Sequence, residues 1–204
     1  MRIYRPLPAV VLLFFGFIRL ANAINYCPAP TEYLGQSLNN ARETARKFEP
    51  LPTSSDGPNC SSGFMTLVTN GITACTYGDS WRLHRFSVGA FGDSGKALVL
   101  NYFVYGQMDS LANISALLGR KDLEKAESIP DSLQIFLRKA KGDLFYYFSD
   151  KRYFVHVTKD GAGDPLEGEM AFVVQLFDLN VLDNEQDNFL SCLHDYGYVQ
   201  DSEK

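Results

Sequence analysis

Three histidines, four cysteines and one glycine-flanked serine carry most of the chemistry open to this chain of 204 residues. The histidines are His84, His156 and His194. None belongs to an H-E-x-x-H motif or to an i, i+4 pair, so no zinc-holding helix face is spelled out. His84 and His156 fall in expected strands, where a hydrogen-bonded or solvent-facing ring is the ordinary case. The cysteines are Cys27, Cys60, Cys75 and Cys192. They form no C-x-x-C, and only His194 lies near one of them, which is not a zinc spacing. Asp183-Asn184-Glu185-Gln186-Asp187 holds calcium-ligand residue types but lacks the EF-hand order and its glycine. Acids at a helix start, facing the positive end of its dipole, account for it. No glycine-rich phosphate cradle is present, so no nucleotide, metal or other cofactor is expected.

Gly92-Asp93-Ser94-Gly95 resembles the tetrapeptide around the nucleophile of trypsin-like serine proteases. The resemblance implies an oxyanion hole of backbone amides and a distant histidine as base. It spans four residues. Lys96 follows where that family has a second glycine and a proline, and His84 lacks the family's alanine-alanine-histidine-cysteine setting. Glycine and aspartate also suit a hairpin turn through their tolerance of positive φ, and the turn is the reading taken. Cys27 and the later stretch SLNNARETARKFEPLP resemble the opening helix of CAP-superfamily domains over about twenty residues. The order of the later elements and the histidine pattern depart from that family. With no complete catalytic motif, the chain is not read as an enzyme. A hydrolase whose site has no local signature is the third reading, since many sites assemble from distant residues.

The N-terminus says where these residues work. Arg2 and Arg5 precede an apolar run from Val10 to Ile18, and Ala21-Asn22-Ala23 is an A-x-A cleavage site. The run is short of the roughly 20 residues of a membrane span, and Arg19 interrupts it. Residues 1–23 are therefore expected to be a cleaved secretory signal, and residues 24–204 a single secreted domain. Cleavage removes three arginines and no acid, leaving 16 basic against 24 acidic residues, a net of −8. An acidic chain is a poor partner for nucleic acid and for anionic lipid. The polar C-terminus offers no anchor, so no membrane attachment is expected in the mature chain.

In an oxidising compartment an even number of cysteines reads as two disulfides. Three pairings are open. The expected one is a local Cys60–Cys75 bridge with Cys27–Cys192 joining the ends. Two glycosylation sequons, at Asn59 and Asn113, are acceptors if they face water.

Periodicity supplies the elements. Leu34, Leu38, Ala41, Ala45 and Phe48 form one apolar stripe, predicting a helix over 31–48. Asn70-Gly71 predicts a hairpin between Phe64–Thr69 and Ile72–Tyr77. Trp81–Phe91 and Lys96–Tyr105 flank the Gly-Asp-Ser-Gly turn, and the second reads as a central strand. A helix after Asp109 is expected to share a face of Leu111, Ile114, Leu117 and Leu118. A second opens at Pro130, with Leu133, Phe136, Leu137 and Ala140 inward. Strands follow at Leu144–Phe148, Tyr153–Thr158 and Glu169–Phe177, then a helix over Glu185–His194. This order predicts an α+β fold: a mostly antiparallel sheet of about six or seven strands with three or four helices.

Aromatics crowd the strands. Alternation sends neighbouring side chains to opposite faces, so either helices cover both faces or one face stays aromatic and open. Tyr102, Tyr105, Tyr146 and Tyr153 are the candidate binding residues of such a face. The chain is read first as a secreted binding protein — an extracellular antigen, effector or inhibitor-like module — with an extracellular protein as partner. The alternative is a carrier of an apolar small ligand or lipid, with the aromatic face lining a pocket.

Overall fold

A computed structural model of the chain describes residues 27–46, 53–55, 64–70, 75–92, 95–134, 137, 140–159 and 170–195. The expected signal segment, Asn59, Cys60, Phe136 and Ser94 lie outside these residues.

One antiparallel sheet of nine strands organises the molecule. The strands are β1 (Thr53–Ser55), β2 (Phe64–Asn70), β3 (Thr76–Tyr77), β4 (Trp81–Phe91), β5 (Val99–Gly106), β6 (Leu123–Lys125), β7 (Leu144–Phe148), β8 (Tyr153–Lys159) and β9 (Ala171–Asp178). Their order is β1-β2-β4-β5-β9-β8-β7-β6, with β3 paired to β4. The helices are α1 (Leu38–Ala45), α2 (Leu111–Leu118), α3 (Asp131–Gln134), α4 (Leu179–Asn184) and α5 (Gln186–Asp195). The α+β class is as the sequence predicts. The extra strands β1 and β6 have three residues each, too few for alternation to reveal, and β3 is the end of the strand expected over Ile72–Tyr77.

Helices pack on both faces of the sheet. Leu38, Ala41 and Ala45 of α1 and Ile114, Leu117 and Leu118 of α2 join the hydrophobic cluster on the first face. Leu133 of α3, Val181 and Leu182 of α4, and Phe189 of α5 join a second cluster across the sheet. Strand alternation feeds both: Leu100, Tyr102 and Val104 enter the first, while Val99 enters the second. Burying about thirty apolar side chains at roughly 1.5 to 3 kcal/mol each gives the gross driving force.

Several elements differ from their expectation for local reasons. The first helix begins at Leu38, because Gly35 adopts φ +76 and Ser37 caps the helix by accepting from Asn40 N at 3.2 Å. At Gly35 a Cβ would lie 3.2 Å from Arg152 Nη2, so the break also makes room for the Arg152–Asp178 ion pair. Residues 71–74 of the expected Asn70-Gly71 hairpin lie outside the described residues, and among those described β2 and β3 are not paired with each other. Strand β2 pairs with β1 and β4, and β3 pairs with β4 alone. Leu111 is 46% exposed and leaves the apolar face of α2. The helix after Pro130 is described over Asp131–Gln134, and Ala140 is exposed. Between Trp81–Phe91 and Val99–Gly106 the expected pairing holds, and β5 lies centrally. Gly95 N donates to Gly92 O across the turn at 3.2 Å, with Gly92 at φ +69.

The disulfide pairing is corrected. Cys27 bonds to Cys75, with 4.7 Å between their Cα atoms. Cys192 is also disulfide-bonded, and no described cysteine is free. The physical reason is the sheet itself: Cys27 packs on the first cluster and Cys192 belongs to the second, so the sheet stands between them. The segment after Cys27 is held on the first face by Tyr102, whose hydroxyl donates to Pro28 O at 2.8 Å.

Candidate binding face and a buried histidine pair

The sheet divides the four candidate tyrosines. Tyr102, Tyr146 and Tyr153 belong to the first cluster and are buried. Burial pushes the hydroxyls of all three up from the usual tyrosine range. They do not share an open face. Tyr105 alone of the four is half-buried on the second face. Phe145 and Phe154 of the aromatic hairpin stack in the second cluster.

The second face has two halves. In one, Phe91, Val99, Phe154 and Phe177 pack under α4 and α5 in the second cluster. In the other, Phe103, Tyr105, Ala171 and Val173 are half-buried and belong to neither cluster. Register puts them together: Phe103 lies opposite Val173, and Tyr105 opposite Ala171. On the other flank, β4 supplies arginines. Arg82 lies opposite Tyr105, and Arg85 opposite Phe103. Each guanidinium stands over its cross-strand ring, at 5.6 Å for Arg82 and 3.8 Å for Arg85.

Arg82 and Arg85 are three residues apart, an interval that would place them on opposite faces of a regular strand. A β-bulge between Leu83 and Arg85 inserts His84 and returns Arg85 to the face of Arg82. His84 is exposed, with its ring 5.2 Å from Tyr105. No motif in the sequence reports this pairing, because it depends on the bulge and on the register with β5. The spacing of the strand's apolar residues carries its only trace: Trp81 and Leu83 are followed by Phe86 and Val88, a break in strict alternation.

At the end of this half, a cleft of about 560 Å³ is lined by residues that include Trp81, Arg82, Tyr105, Gln107, Asp79 and Met170. Tyr77, 46% exposed, stacks on Trp81 with ring centres 6.0 Å apart. Met170 is 49% exposed at the same end. An open surface combining aromatic rings, methionine and arginine has the composition of protein interface cores.

His156 sits deeper on the same face. A row of polar side chains crosses four strands in register, from Ser87 through Asn101 and Gln175 to His156. Asn101 Nδ2 donates to Ser87 Oγ at 3.1 Å, and Gln175 Nε2 donates to Asn101 Oδ1 at 3.0 Å. Gln175 Oε1 is then 2.9 Å from His156 Nδ1, which completes the row. His156 Nε2 lies 3.1 Å from Asp143 Oδ2, yet its N–H direction gives no aligned hydrogen bond. Both side chains are almost fully buried, at 6% and 4% exposure. Burial opposes the charge on Asp143, but bonds from Ala140 N–H and the Thr158 hydroxyl, with the His156 ring close by, outweigh it and hold the carboxyl below its usual range. The Thr158 hydroxyl, bonded to Asp143, is the hydroxyl nearest this pair among the contacts described. Ser87, the serine of the row, is separated from His156 by Asn101 and Gln175.

The remaining candidates are placed plainly. Asn113 lies in α2 with its Nδ2, the atom a glycan would take, donating to Gln107 O at 2.8 Å. The residue is 9% exposed, so the folded chain does not turn it to water. Asp187 is in the exposed first turn of α5, and among the described residues no acidic or histidine cluster could hold a metal. No described helix is long and apolar enough to cross a membrane. Comparison with protein-family models, with curated proteins and with solved structures finds no match to this chain.

Proposed function

We propose that this chain is a secreted, disulfide-stapled binding protein that engages an extracellular protein partner through the half-open second face of its sheet. The observation that carries this reading is the split of that face. One half is filled by helices, while Phe103, Tyr105 and Val173 in the other join neither hydrophobic cluster. Aromatics and arginines ringed by polar side chains are the residue types that anchor protein interfaces. The disulfide between Cys27 and Cys75 supports an oxidising compartment. The Val10–Ile18 run before an A-x-A site supports export.

The test has two arms. Expression from the full chain should release a protein whose N-terminal residue is Ile24. Recovery of the uncleaved chain in the cell would contradict export. Val173→Arg, placed in the middle of the open half, should abolish retention of the partner from extracellular fluid while leaving the thermal melt unchanged. Retention equal to that of the unaltered chain would contradict the face.

A further inference from the structure

The open half of the second face carries two guanidiniums in a chain whose charge is otherwise acidic. Arg82 and Arg85 are held on the same face by the bulge at His84, each over the ring of its cross-strand neighbour. The Arg85 guanidinium carbon stands 3.8 Å from the centre of the Phe103 ring, and its buried Nε has no hydrogen-bond partner. A guanidinium laid on a ring has its planar donors turned outward along its edge, the geometry that meets a carboxylate through two parallel bonds. Its orientation is fixed before a ligand arrives, which lowers the ordering cost of binding.

We infer that this pair is a receptor for an acidic, extended segment of the partner, with Arg85 as its principal anchor. The inference rests on the reading of this face as the binding surface. The rings under the two arginines belong to Tyr105 and Phe103, two residues apart on β5. Strand geometry therefore separates the two stations by about 7 Å. That is also the spacing of alternate side chains on an extended peptide. Glutamates or aspartates at positions i and i+2 match the two stations, and the residue between them faces away. Charge complementarity sets the class of partner: a removed signal leaves a net of −8, yet the open face presents arginines. Asp79 lines the cleft beside Arg82, which makes Arg82 the weaker station. His84 is exposed beside Tyr105 at the same end.

Titration calorimetry reads the binding, since the chain's single tryptophan, Trp81, is buried in the first cluster. The mature chain should be titrated with a ten-residue peptide of alternating glutamate and serine, with its glutamine counterpart, and with a sulfated oligosaccharide. The glutamate peptide should bind at least tenfold tighter than the glutamine one, and weaken severalfold between 50 and 200 mM salt, as exposed charge pairs do. Arg85→Gln should cost about tenfold, and Arg82→Gln less, with unchanged melts for both. Equal binding of the glutamate and glutamine peptides would overturn the inference, as would tighter binding of the oligosaccharide through the same two arginines. If the glutamate peptide fails while Val173→Arg still abolishes partner retention, the face stands and its acidic specificity falls. If both fail, the face itself is wrong.

Discussion

Asp143 and His156 show how much a single buried pair depends on its surroundings. The Asp143 carboxyl is held below its usual range by the hydrogen bonds it accepts, against the cost of burial. Its folded value is therefore lower than its unfolded one, and protonation favours the unfolded chain. The stability it adds is complete above the unfolded value, near 4, and is lost as pH falls through the folded value. Urea midpoints measured from pH 2 to pH 6 should fall more steeply for the unaltered chain than for Asp143→Asn. Parallel curves would contradict the assignment. Asn113 makes a second residue-scale prediction. Its amide is spent on Gln107 O, so peptide mapping of the secreted protein should find Asn113 without a glycan. Asn113→Ala should cost roughly 1 to 2 kcal/mol in chemical unfolding, because Gln107 O loses its donor in a part-buried site. Of these residues, the sequence makes His156 readable as a strand histidine in need of a partner. It does not reveal Asp143 or Gln175, which reach the ring only through the register of β7, β8 and β9.

Among elements, the long strands and the apolar stripes of the helices were legible because alternation and the 3.6-residue period are written into neighbouring residues. Partnership was not. Asn70-Gly71 marks a turn signal, but β2 takes β4 as its neighbour, a choice made by seven residues of pairing against β3's two. The predicted helix start fails at Gly35, whose φ of +76 serves a contact with Arg152 from a distant hairpin. The aromatic strands split in the same way. Tyr102 and Phe103 are neighbours in sequence, and one is core while the other lies on the open face. The bulge in β4 offers a direct test at this scale. His84 is the inserted residue, so its deletion should restore regular alternation and keep Arg82 and Arg85 on one face. Circular dichroism should show the same sheet, with a melt within a few degrees. Deleting Val88, in the regular part of the strand, should turn every later side chain to the wrong face and unfold the protein. Equal tolerance of both deletions would contradict the register.

For the molecule as a whole, the sheet acts as a partition. It separates two clusters, fixes which cysteines can meet, and leaves half of one face without a helix among the described residues. A non-reducing peptide map should join the Cys27 peptide to the Cys75 peptide, and the Cys192 peptide to the remaining cysteine, Cys60. The Cys27–Cys75 bridge spans 48 residues, which corresponds to about 4 kcal/mol in the chain-entropy account. Replacing both residues by serine should lower the denaturation midpoint accordingly, whereas a map linking Cys27 to Cys192 would contradict the partition. The central claim is that the partner sits on the open half of the second face. A photo-crosslinking amino acid placed at Val173 tests it most directly, with Asp187 on the exposed first turn of α5 as the control position. The account predicts that the position of Val173 captures a discrete extracellular protein, and that an excess of the alternating glutamate peptide blocks the capture. Capture from the position of Asp187 with none from that of Val173 would contradict it.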